Sequence, residues 1–238
     1  MGSTGTAVSF YANLGALDNG FGSEYQHVLD VTEVLKLGSN LKEWIANLNE
    51  EEIGVIRDFV ASEYGDINDA QYNIPWEQMG YADKYAVSKL HDALSKFELN
   101  QGIVVNRATS FRIFGAKDDR QMMTMDEVRK YLKENGNTVQ NDGFMSFSTR
   151  KNGYAVEADG LVIHLKIPPS KGAGAYLGNN YGAQDESEFL VNTNTVMKFD
   201  SGSMRVDDLG NIHITAEWLG RSEAQTISPT YKGKLKKG

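Results

Sequence analysis

The sequence predicts an α+β fold, with a helical lobe first and a two-sheet mixed β core after it. Three observations predict it. Apolar residues recur at helical spacing through the first hundred positions. From residue 103 the pattern changes to short runs rich in Val, Ile, Phe and Thr. Helices and strands are segregated along the chain, whereas a doubly wound parallel sheet would alternate them. A length of 238 residues suits one large domain or two small ones. The division read here is an arm over 1–22, one domain over 23–222 (helical over 23–100, β-rich over 101–222) and a tail over 223–238.

The arm is rich in Gly, Asn and Ser. Val28, Leu29, Val31, Val34 and Leu35 make a first apolar stripe, and Leu41, Trp44, Ile45 and Leu48 a second at i, i+3, i+4, i+7. Asn49 can cap a third helix, whose first turn carries Glu50, Glu51 and Glu52, where the helix dipole favours acids. Ile53, Ile56, Phe59 and Val60 give it a buried face. Tyr64-Gly65-Asp66-Ile67-Asn68 breaks the pattern, and Tyr81, Tyr85, Leu90, Leu94 and Phe97 mark a fourth helix.

Ile103 to Arg107 then reads as a strand. Thr124 with Glu127 forms a capping box, opening a short helix that Gly136 can close. Strand-like runs follow at Gly143 to Thr149, Leu161 to Ile167, Glu188 to Val191, Val196 to Phe199 and Ile212 to Trp218. Asp208-Leu209-Gly210-Asn211 suits the turn of a terminal hairpin.

Composition excludes several function classes. A net charge of −8 argues against a partner bound through a phosphate backbone. With no Cys there is no disulfide, thiol nucleophile or Cys-ligated zinc. The four His are widely separated without ligand spacing, so no metal is expected. His164 and His213 fall in strand patterns and read as structural residues. No apolar run reaches the length of a membrane span, and the first residues lack the basic and apolar regions of a signal peptide.

The chemistry-bearing residues lie in the β-rich part. Glu186 and Glu188 are two apart before an apolar run; on a strand they share a face, and their repulsion would separate their pKa values. Ser146 and Ser148 likewise share a face, with Phe147 opposite. Arg107 ends a strand and offers a planar fork of donors to an anion; Arg112 competes for that role. Gly172 to Gly178 lacks the GxGxxG spacing and a following helix, so it reads as a mobile loop rather than a nucleotide loop.

These pieces, in this order, resemble the bacterial mono-ADP-ribosyltransferases of the arginine-serine-glutamate type, which include the enzymatic components of binary actin-modifying toxins and the Rho-modifying exoenzymes. Ile56 to Val60 with Tyr64 and Ile67-Asn68 is similar to the family's helix-turn segment. Val104-Val105-Asn106-Arg107 is similar to the strand carrying its NAD-binding arginine. Gly143 to Ser148 resembles the Ser-Thr-Ser strand, Gly174 to Leu177 the strand before the acids, and Glu186-Ser187-Glu188 the Glu-x-Glu form. Ser146 follows Arg107 by 39 residues and Glu188 follows Ser146 by 42. Phe147 departs from the family's central Thr; strand alternation would aim it into the core.

The resemblance implies NAD as co-substrate, held between the helical lobe and the β core, and no metal. Arg107 would clamp its diphosphate. Ser146 would orient the nicotinamide ribose, Ser148 would hold Glu188, and Glu188 would stabilise the oxocarbenium-like sugar. Glu186 would activate the acceptor, and Glu rather than Gln there implies arginine as the residue modified. Tyr181 matches the aromatic that contacts the target. The implied protein is a toxin or effector, secreted or delivered into a host cell and acting in its cytosol, with NAD glycohydrolase side activity. It is expected to be a monomer and to modify a protein, actin by analogy alone. The alternatives are a phage-borne transferase acting on bacterial proteins and a silent binding module of the same fold.

Overall fold

A computed structural model describes residues 40–60, 67–68, 74, 76–149, 160–178 and 188–222. The expected arm and tail lie outside these residues.

The helical part follows its capping and spacing signals. Residues 40–46 are helical. Helix α1 (Glu50–Asp58) begins at the expected capping box, in which Asn49 accepts from the Glu52 backbone and the Glu52 carboxylate accepts from the Asn49 backbone. Helix α2 (Tyr81–Ser95) buries Val87, Leu90 and Leu94, the i, i+3, i+7 positions of its inner face. Trp44 ties the first helical segment to the end of α2, its indole Nε1 donating to the Ala93 carbonyl at 2.7 Å. No described helix is long and apolar enough to cross a membrane.

The β-rich part contains ten described strands: β1 (Glu98–Leu99), β2 (Ile103–Thr109), β3 (Thr138–Asn141), β4 (Met145–Ser148), β5 (Leu161–Ile167), β6 (Ser170–Lys171), β7 (Gly174–Gly178), β8 (Glu188–Val191), β9 (Thr195–Val206) and β10 (Ile212–Arg221). Helix α3 (Met125–Glu134) lies between β2 and β3 and opens at the Thr124–Glu127 capping box. It closes through Asn135 and Gly136, the latter at φ 65°, as its glycine predicts.

Strands β1 and β6 form a small ribbon; the other eight form one ladder in the order β3-β9-β10-β5-β2-β4-β8-β7. Only β5 and β10 run parallel among these pairings. The two sheets expected from the sequence are present as two halves of this ladder. Within the larger half, β2 and β5 pair at every position from Ile103–Ile167 to Thr109–Leu161. Among the described residues the halves themselves meet at a single pair, Asn106 with Ser148.

Alternate residues of β2 and β5 enter the main core, among them Val105, Ile163 and Leu165. Phe97 stacks edge-on against both Trp44 and Phe189, linking the helical part to the smaller half. Phe114 packs on Phe199 in the larger half, with ring centroids 5.0 Å apart.

Two expectations need correction. Gly174 to Gly178 is a strand, as the resemblance implied, and not the mobile loop its glycines suggest: a Cβ on Gly174 would stand 2.2 Å from the Leu190 carbonyl oxygen, so glycine there permits close strand pairing. Thr138–Asn141 is also a strand, hidden from sequence reasoning by its polar composition, and gains its structure by pairing with β9.

Candidate active site

Of the candidate residues, Arg107, Ser146, Ser148 and Glu188 lie at or next to the single described bridge between the two halves. In β2, Asn106 and Arg107 are neighbours and so point to opposite faces. Asn106 is opposite Ser148 of β4, and Ser148 is opposite Glu188 of β8. Directly opposed residues share a face with Cβ atoms about 5 Å apart. Glu188, Ser148 and Asn106 thus form one polar row across three strands. Ser148 is buried, and Glu188, at the start of its strand, is half-buried.

Arg107 reaches the same bridge, its Nη1 donating to the Ser146 carbonyl at 2.7 Å. That bond joins β2 to β4 at the residue the sequence singles out. The Ser146 side chain is half-buried and lies on the same face of β4 as that of Ser148. Phe147 between them is 2% exposed and sits opposite Phe189, as its inward register predicts. Arg112, the competing cation, occupies an exposed 3-10 turn near Asp119, with a separation of 3.8 Å. Glu186 and Tyr181 lie outside the described residues.

Two further contacts hold β4 and β8, and sequence reasoning missed both. The Asn68 side chain grips the Phe144 backbone at both ends, donating to its carbonyl at 3.1 Å and accepting from its N–H at 2.9 Å. This fixes the chain two residues before Ser146. Beyond β8, Asn192 donates to Ser95 Oγ at 3.2 Å and to the Gly172 carbonyl at 3.2 Å. Arg221, at the end of β10, donates from Nε to the Thr193 carbonyl at 3.1 Å and places Nη2 3.0 Å from His91 Nδ1. Burial, followed by the charge of Arg221, lowers the His91 pKa to about 4, opposed by a hydrogen bond with Asn192. The available signal was polarity in apolar company: Asn106 follows Ile-Val-Val, and Asn192 follows Phe-Leu-Val.

The arrangement offers a guanidinium on β2 bonded to the β4 backbone, and a carboxylate on β8 in register with a β4 hydroxyl. Such a set can hold an anionic group and stabilise positive charge developing nearby. Among the described residues no group of three His, Asp or Glu is arranged to hold a metal ion.

Comparisons with known proteins show which family and fold this chain shares. A family model described as ADP-ribosyltransferase exoenzyme matches residues 38–221. The chain is 28% identical over 156 residues to a protein of Enterococcus faecalis named NAD(+)--arginine ADP-ribosyltransferase EFV, a match covering 63% of this chain and 29% of that relative. Among solved structures, Plx2a, an ADP-ribosyltransferase toxin from Paenibacillus larvae, superposes with a TM-score of 0.64 at 22% identity, covering 79% of this chain and 96% of that one. The ADP-ribosylating toxin BECa of a C. perfringens binary enterotoxin, solved with NADH, gives 0.65 at 20% identity over 80% of this chain and 48% of that one. An ADP-ribosyltransferase from Clostridium botulinum gives 0.64 at 18% identity, covering 82% of this chain and 98% of that one.

Proposed function

Because the chain belongs to the ADP-ribosyltransferase exoenzyme family, we propose that it transfers ADP-ribose from NAD to an arginine side chain of a target protein. The observation that carries this reading is the row Glu188–Ser148–Asn106 beside Arg107, at the described bridge between the two halves of the sheet. The arginine specificity draws its support from Glu186 and from the printed name of the Enterococcus relative.

In this reading Arg107 holds the NAD diphosphate, for which a planar guanidinium supplies paired donors. Ser146 orients the nicotinamide ribose. The bond between the ribose C1′ and the nicotinamide nitrogen breaks, and its electron pair leaves with neutral nicotinamide. Positive charge develops on the sugar. The Glu188 carboxylate, held by Ser148, stabilises that charge near the 2′-hydroxyl, as in glycoside cleavage. The acceptor guanidinium arrives protonated, with a pKa above about 12. Glu186 takes one proton, and the freed nitrogen lone pair forms the new bond to C1′. Tyr181 contacts the target. Water replacing arginine gives NAD hydrolysis as a side activity. The protein is a toxin or effector that is secreted or delivered into a host cell and acts there.

The two acids do different work, and a paired assay separates them. Nicotinamide release is followed with NAD alone, and label transfer is followed to agmatine, a small arginine analogue. Glu188→Gln should abolish both, through loss of an interaction worth several kcal/mol, roughly 3, in the transition state. Glu186→Gln should abolish labelling and leave measurable nicotinamide release. Agmatine labelled at the wild-type rate by Glu186→Gln would refute arginine activation by this residue.

A further inference from the structure

The polar row does not stop at Asn106. The next residue across the ladder is His164 of β5, directly opposite Asn106. Its Nδ1 lies 2.6 Å from Asn106 Oδ1. On the other side, His164 Nε2 lies 2.9 Å from His213 Nδ1, and the two rings stack with an interplanar angle of 16°. His213 Nε2 lies 3.1 Å from Asp207 Oδ2, in the turn between β9 and β10. Asn106, His164 and His213 are all buried, whereas Asp207 reaches solvent. A continuous chain of polar contacts thus runs from an outer turn, through two imidazoles, to the row that ends at Glu188.

Buried polar groups of this kind carry a desolvation cost, and an apolar pair at the same positions would avoid it. The alternate face of these same strands shows the apolar solution, with Val105, Ile163 and Leu165 in the core. What the polar chain supplies instead is direction. It favours one side-chain orientation at Asn106, whose backbone forms the described bridge between the sheet halves.

Resting on the functional reading above, we propose that His164, oriented by His213 and Asp207, is a positioning residue for the NAD cleft: through Asn106 it sets the bridge that aligns Ser148 and Glu188 with Arg107.

The chain also has a defined hydrogen-bond polarity. A carboxylate only accepts, so Asp207 takes the Nε2–H of His213. Asn106 Oδ1 only accepts, so it takes the Nδ1–H of His164. The bond between the rings needs a third N–H. Two neutral imidazoles carry two N–H groups between them. With Asn106 in this orientation, all three contacts are satisfied only while the pair carries one added proton beside the Asp207 carboxylate. Hydrogen bonds from the Asn211 side chain, aided by those from His213 and backbone amides, keep that carboxyl well below its usual range. Burial lowers the His213 pKa, and Asp207 opposes the shift; Arg205, paired with His213 across the strands, adds to it. The residues in strand register with His164 are Asn106 of β2 and Thr215 of β10, with Ser148 beyond Asn106. Lys166, two residues along β5, is the nearest further cation on its strand. When the pair gives up its proton, His164 Nδ1 becomes an acceptor, and Asn106 must turn its amide nitrogen toward it.

The test combines kinetics of nicotinamide release with nitrogen NMR of the imidazoles, on the full chain. In the wild type, kcat should step across the pH at which the His164–His213 pair titrates, with KM for NAD little changed. His164→Leu should lower kcat by about tenfold or more, the scale of a small misalignment at a reacting centre. Asp207→Asn should remove the pH step, because an amide nitrogen there reverses the chain and lets two neutral imidazoles satisfy all three contacts. Asp208→Asn, an exposed neighbour, should leave the step in place. A folded His164→Leu with wild-type kcat, or an Asp207→Asn that keeps the wild-type step, would overturn the proposal. Should His164→Leu not fold, the Asp207→Asn profile decides alone. A wild-type chain that neither binds NAD nor releases nicotinamide fails at the functional reading, which distinguishes that failure from failure of the relay.

Discussion

The two halves of the sheet are held in different ways. In the larger half, β3-β9-β10-β5-β2, every strand but the four-residue β3 has seven or more residues, and Phe114 packs on Phe199. In the smaller half, β4 and β8 have four residues each and β7 has five. Short strands in a three-stranded sheet bury little by themselves. This half therefore leans on outside supports: the Asn68 grip on Phe144, the Phe97–Phe189 contact, and the polar clasp of His91, Ser95, Asn192, Thr193 and Arg221. Arg107 belongs to the well-braced half, and Ser146, Ser148 and Glu188 to the dependent one. The geometry of the proposed NAD site thus depends on whatever fixes one half against the other.

The largest effect should come from emptying the smaller half. Phe147→Ala removes a ring that is 2% exposed and should cost ~3–5 kcal/mol in chemical denaturation. Phe199→Ala in the larger half should cost a similar amount. The two should part in the assay: among molecules still folded, Phe147→Ala loses nicotinamide release and Phe199→Ala retains it. Equal turnover in both would erase the distinction between the halves.

Acid should act on the clasp. The His91 pKa lies at about 4 in the folded chain, below the ordinary 6.5. Between these values the unfolded chain binds the proton and the folded one does not, so stability rises with pH. This contribution is complete above about 6.5 and declines by up to ~3 kcal/mol as pH falls toward about 4. His91→Gln should flatten that part of the stability profile, measured as denaturation midpoints between those limits. An unchanged slope would mean that the clasp does not carry it.

The smallest effect belongs to the well-braced half. Thr124→Ala removes the cap of α3, which packs against β9 in the larger half. It should cost about 1 kcal/mol in a thermal melt and leave nicotinamide release unchanged.

Much of this fold is legible in the sequence because local signals agree with tertiary placement. Asn49 and Thr124 open helices where their capping boxes predict, and Leu161–Ile167 reads as a strand from its own composition. Thr138–Asn141 is illegible because its polar residues become a strand only through pairing with β9. At the site, alternation alone places Ser146 and Ser148 on one face and Phe147 on the other. The register that sets Ser148 between Asn106 and Glu188 is a property of three strands distant in sequence, and no local pattern encodes it. His164 and His213 read as structural histidines for the same reason: their significance lies in which residues they face.

Calorimetric titration of NAD into the Arg107→Lys and Arg112→Lys variants tests the location of the cleft most directly. Arg107 donates across the bridge to the Ser146 carbonyl, whereas Arg112 stands on an exposed turn. Lysine keeps the charge and loses the paired donors. The account predicts clearly weakened NAD binding for Arg107→Lys and near wild-type binding for Arg112→Lys. Affinity that falls only for Arg112→Lys would place NAD away from the bridge and contradict it.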